Sequence, residues 1–98
     1  MNIDFEWYSE KERLNVEKHG IDLEMVRKVF ADPLRIEQYD EEHSGLEDRW
    51  QTLGMADGIL FVVYTERGKI IRIITAREAT PEERKLYYGE NGGNWFIP

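Results

Sequence analysis

Cysteine is absent from the 98 residues, and proline occurs only three times. The first absence excludes a disulfide framework, a cysteine nucleophile and cysteine-ligated zinc. No apolar run approaches the roughly 20 residues that span a bilayer. The start, Met1-Asn2-Ile3-Asp4-Phe5-Glu6, has neither the basic residues nor the apolar stretch of a signal peptide. A cytoplasmic location with no membrane partner is the expectation. No P-loop or dinucleotide fingerprint is present, so no cofactor is expected. Positive charge is also short: 13 Lys and Arg stand against 20 Asp and Glu, a net charge of −7. That balance argues against nucleic acid at first sight.

The distribution of charge says something different. Residues 1–50 carry 7 basic and 14 acidic side chains, and residues 51–98 carry 6 of each. All six basic residues of the second half fall between Arg67 and Lys85, against Glu78, Glu82 and Glu83, a local excess of +3. The plain alternative is a solvated strand and helix face. Length fits one domain, and 41% hydrophobic residues suffice for a core.

Periodicity and punctuation lay out the elements. Ile3 to Trp7 alternates as a short strand. Ser9-Glu10-Lys11-Glu12 reads as a capping box opening a helix that Gly20 stops. Asp22 caps a second helix with Leu23, Val26 and Phe30 on one stripe, and Asp32-Pro33 ends it. Strands are expected at Leu34 to Tyr39, Arg49 to Leu53, Ile59 to Thr65 and Lys69 to Ala76, with turns at Ala56-Asp57-Gly58 and Glu66-Arg67-Gly68. Thr80-Pro81-Glu82-Glu83 opens a third helix that Gly89 ends. The order β-α-α-β-β-β-β-α implies an α+β fold, an antiparallel sheet packed by two N-terminal helices and one C-terminal helix. Residues 1–88 form the single domain, and 89–98 are a tail.

Several runs carry a family resemblance. Phe5-Glu6-Trp7, Asn15, Lys18-His19-Gly20-Ile21 and Val29-Phe30-Ala31-Asp32-Pro33 are followed by His43, Glu47-Asp48-Arg49-Trp50 and Leu53-Gly54. Val63 to Gly68, Ile71 to Arg77, Glu83-Arg84 and Tyr87-Tyr88 come after. In this order and spacing, over about residues 3–88, the chain resembles the BrnT toxins. The resemblance implies a RelE-like fold and a bacterial, metal-independent endoribonuclease toxin that inhibits translation. It also implies neutralisation by a BrnA-type antitoxin, RNA as substrate, and operator DNA reached only through the antitoxin complex. Two positions depart from the family pattern: Tyr8 stands where an aspartate is usual, and the chain runs on past the usual end as Gly89 to Pro98.

Metal-free RNA cleavage needs a base for the 2′-hydroxyl, cations for the phosphorane oxygens and an acid for the leaving oxygen. Arginine suits the second task and histidine the first or third. The family's Lys-His-Gly element brings forward Lys18 and His19. Read from spacing alone, His19 caps the helix and Lys18 is solvated, since adjacent helical positions diverge by about 100°. Arg72 interrupts the apolar run Ile70 to Ile74, which suggests a wet concave face. Arg77 can join it only if the strand ends or bulges near Thr75-Ala76. The alternative for both is a salt bridge, with Glu47 or Glu78. Lys18, His19, Arg72 and Arg77 are thus the candidate catalytic set. Arg49, Arg84 and Tyr88 are candidate RNA-binding residues, the last two four apart on one helix face. Tyr64 reads as core. Asp40-Glu41-Glu42-His43 does not read as a metal site, because consecutive loop acids rarely converge on one ion.

A different class of reading is an interaction module that binds the antitoxin with little or no catalysis of its own. A DNA-binding repressor subunit would need a helix rich in Lys and Arg, which is missing. In the tail, Trp95-Phe96-Ile97 beyond Gly92-Gly93 suggests docking, on its own sheet or across a homodimer interface, because burying each such side chain is worth ~1.5–3 kcal/mol.

Overall fold

The computed structural model describes residues 4–89; the predicted docking of the tail lies outside them. The elements are β1 (Asp4–Glu6), α1 (Ser9–His19), α2 (Leu23–Ala31), β2 (Ile36–Tyr39), β3 (Trp50–Met55), β4 (Ile59–Arg67), β5 (Ile70–Glu78) and α3 (Pro81–Gly89). The α+β order agrees with the expectation. One pairing departs from it: the sheet order is β1-β5-β4-β3-β2, and β1 runs parallel to β5 while the other neighbours are antiparallel.

Alternation along the strands gives the sheet two buried faces. Leu60, Val62, Tyr64, Ile73 and Ala76 face α2, where Val26 and Val29, with Ile21 just before the helix, pack on them. Ile59, Phe61, Val63, Leu53 and Ile36 face the other way, toward Tyr87 and Leu86 of α3. Gly54 is required where α2 crosses β3: an added Cβ would sit 2.7 Å from Val29 Cγ1 and 2.9 Å from the Val29 carbonyl oxygen.

Local chemistry sets the helix ends. The Asp22 side chain accepts from the Met25 amide at 3.1 Å, capping α2. Gly20 takes φ 70°, and its amide closes α1 onto the Val16 carbonyl. At α3, Thr80 and Glu83 form the reciprocal box, at 2.9 and 3.1 Å. The predicted box at Ser9 does not form. Tyr8 is the cap residue, without a side-chain bond, and Ser9 is already helical. Glu12 instead accepts from the Leu23 amide at 2.9 Å, placing its carboxylate at the start of α2.

Candidate active site

A bulge in β5 decides where its arginines point. Val63 pairs with Thr75 and Tyr64 with Ile73, so Ile74 is an extra residue. Ile73 and Ala76 therefore share the α2 face. Arg72 and Arg77, each adjacent to one of them, both fall on the α3 face despite a spacing of five.

They do not converge there, and each has its own carboxylate. Arg72 Nε lies 2.9 Å from Glu6 Oε2, as an ion pair without the alignment of a hydrogen bond. Its guanidinium stacks 4.4 Å from the centre of the Tyr8 ring. With 14% of its side chain exposed, Arg72 is largely covered, in contrast to the wet face expected. Arg77 holds Glu83 through Nη1 and Nη2 at 2.8 and 3.0 Å and lies over the Phe61 ring. The partners named from sequence, Glu47 and Glu78, are replaced by Glu6 and Glu83. Glu6 comes into reach only through the parallel β1 pairing, which sets it beside Arg72.

At the level of Arg72 the α3 face carries a row of polar groups. Glu6 stands on one side and Thr65 on the other, and Arg49 lies just before β3. The Arg49 amide donates to Ser44 Oγ at 2.8 Å, and its carbonyl accepts from Asp40, which fixes the strand entry. Arg67 donates to Glu47 at 2.8 and 3.1 Å. That pairing, with the charges of Arg72 and Arg49 nearby, holds the Glu47 carboxyl below its usual range. Arg49, Arg67 and Arg72 thus gather around Glu6 and Glu47 at this end of the sheet, where Asp48 and Glu66 also lie.

Beside the row, α1 lies along the part of β5 that β1 leaves uncovered. Asn15 is buried there, donating to the Ile21 carbonyl at 3.1 Å and accepting from the Ala76 amide at 3.5 Å. Lys18 and His19 both border a shallow depression of about 220 Å³ formed with Lys11, Asn15, Ile74 and Thr75. The helix remains regular through His19, so no unwinding is needed for the two neighbours to share it.

The remaining candidates are dispersed. Arg84 and Tyr88 lie on the exposed side of α3, with Arg84 Nη1 donating to the Ala79 carbonyl at 3.1 Å. Tyr64 is core on the opposite face, and its hydroxyl donates to Glu37 at 2.8 Å. Burial pushes the Tyr64 phenol up to about 12. Asp40 and His43 pair with each other at 3.1 Å. Burial pushes the Asp40 carboxyl up, but bonds from Gln51 and His43 outweigh it and hold it below its usual value. Among the described residues no group of three or more His, Asp or Glu is arranged to hold an ion, and no helix is long and apolar enough to cross a membrane.

Sequence reasoning passed over Lys11. The signal was available: Arg13 has Glu10 and Glu17 at helical spacing, whereas Lys11 and Lys18, seven apart, have no acid three or four positions away within α1.

An α+β domain with a cation-bearing sheet face is a class that many proteins share. The family narrows it. The profile of the ribonuclease toxin BrnT of type II toxin–antitoxin systems matches residues 7–83, and the chain belongs to that family. Among solved structures it is similar to the Brucella abortus ribonuclease toxin BrnT, determined at 1.1 Å. The TM-score is 0.59 and the identity 18%, over 81% of this chain and 99% of that one. At that identity the likeness is one of fold. The RelE-like description holds only as far as the α+β arrangement. Comparison with curated proteins gives no match.

Proposed function

We propose that the chain is a metal-independent endoribonuclease, acting in the cytoplasm to block translation and held silent by a BrnA-type antitoxin. The observation that carries this is the polar row at Arg72, next to a depression bordered by Lys18 and His19. His19 and Lys18 divide the proton transfers at the 2′-hydroxyl and the leaving 5′-oxygen. Arg72, with Arg49 beside it, stabilises the charge that builds on the phosphorane oxygens. Arg77, which does not converge with Arg72, takes a neighbouring phosphate by exchanging Glu83 for RNA. Arg84 and the exposed Tyr88 ring offer a contact for a flanking base. Operator DNA is reached through the antitoxin.

The deciding experiment is digestion of single-stranded RNA by the purified chain in excess chelator, with His19→Ala in parallel. Cleavage that survives chelation and drops by about 10²–10⁴-fold in the variant supports the reading. Intact RNA with a fully folded protein that still binds its antitoxin would instead make this an interaction module.

A further inference from the structure

Every acid of α1 is engaged away from the depression. Glu10 and Glu17 flank Arg13 at 2.6 and 2.8 Å, and Glu12 is bound to the start of α2. Lys11 and Lys18 have no ion-pair partner among the described residues, and both are exposed. They stand on one stripe of the helix, with Leu14 and Asn15 between them, and Thr75 contributes a hydroxyl from β5. Seven residues at a rise of about 1.5 Å separate the two lysines by about 10 Å along the axis. The stripe ends at His19; Tyr8, the cap residue three positions before Lys11, stacks on Arg72. On a chain of net charge −7, an uncompensated cationic stripe aimed at one row of arginines is a directional feature.

We propose that this stripe is a track for the phosphate backbone of single-stranded RNA, with Lys11 binding a backbone phosphate. The inference rests on the ribonuclease reading and adds a binding residue to it. Lysine fits the role as a flexible point charge without base preference, so the track holds the strand and leaves sequence selection to other groups.

The test uses the full chain, a single-stranded oligonucleotide with 2′-O-methyl groups that block cleavage, and a cleavable strand of the same sequence. Lys11→Gln should weaken binding roughly threefold at low salt and flatten the salt dependence by about 0.7 in log–log slope, the loss of one phosphate contact. On the cleavable strand KM should rise with kcat unchanged. Lys28→Gln, whose lysine on α2 sits 3.5 Å from Asp57, should change none of these. Unaltered binding and slope in Lys11→Gln, with the parent still cutting RNA, would overturn the track alone. So would an equal loss in Lys28→Gln, or a loss confined to antitoxin affinity. A parent that binds RNA through Lys11 and never cuts it would leave the track standing and remove the catalytic reading.

Discussion

Arg77 grips Glu83 with two nitrogens while the same carboxylate accepts from the Thr80 amide, so one acid ties β5 to the first turn of α3. Burial pushes the Glu83 carboxyl up, and Arg77 and Thr80 more than reverse that, leaving it below its ordinary value of 4.5. Its stabilisation is therefore fully present above pH 4.5 and is lost as pH falls through the lowered folded value. Glu83→Gln should cost about 1–3 kcal/mol at neutral pH, between the costs for exposed and buried pairs. Denaturant melts between pH 7 and 3 should show a shallower acid loss in the variant; parallel curves would remove Glu83 from the acid response.

A second joint lies at the other end of α3. The Tyr87 hydroxyl donates to Asp32, which also accepts from the Leu34 and Met55 amides. Burial, then the bond to Asp32, raises the Tyr87 phenol to about 12. A raised phenol contributes fully below its ordinary value of 10, and that contribution is lost as pH climbs through about 12. Tyr87→Phe should destabilise by about 1.5–3 kcal/mol, as for a hydrogen bond to a charged group, and should reduce the alkaline loss. Chemical denaturation at pH 8 and pH 11 is the measurement, with equal loss in parent and variant as the contrary result.

Gly54→Ala tests the packing of α2 on β3. The new methyl meets both Cγ1 and the carbonyl oxygen of Val29, so overpacking should cost about 1–3 kcal/mol. Adding Val29→Ala removes only the side-chain clash, and the double variant should regain little. Full recovery of the melting temperature would show that the helix backbone can shift.

Much of this architecture was legible because it is written locally. Asp22, Gly20, Asp32 and the Thr80–Glu83 box act within a turn of their own positions. What was hidden depends on distant partners. Nothing near Asp4–Glu6 specifies parallel pairing with β5, so the ion pair between Glu6 and Arg72 could not be read. The sequence places the bulge that a common face for Arg72 and Arg77 requires near Thr75-Ala76; it forms at Ile74, an isoleucine rather than a glycine, so only its exact position was hidden. Ser9 is not the cap: the helix starts one residue earlier, on the Tyr8 carbonyl, and Glu12 is engaged eleven residues on.

The Arg72 pair allows the catalytic role proposed for Arg72 to be tested apart from folding. Glu6→Gln should lower stability slightly, since that carboxylate is 43% exposed, and leave RNA cleavage largely intact. Arg72→Ala should remain folded but lose about 10²–10³-fold in kcat, the scale of one removed charge-stabilising donor. Turnover assays beside thermal melts provide the comparison. Equal loss of cleavage in both variants would make the pair one scaffold and leave the phosphate to other cations.

The parallel pairing of Asp4 with Ile70 also has a consequence in time. The partners are 70 − 4 = 66 positions apart, and closing so large a loop is slow compared with the hairpins between them. During synthesis the first strand must wait, edge open, until nearly the whole domain has emerged. Arg72 and its neighbours meet Glu6, Tyr8 and α1 only at that late closure. The surface around Arg72 is therefore complete only once β5 has left the ribosome and met β1.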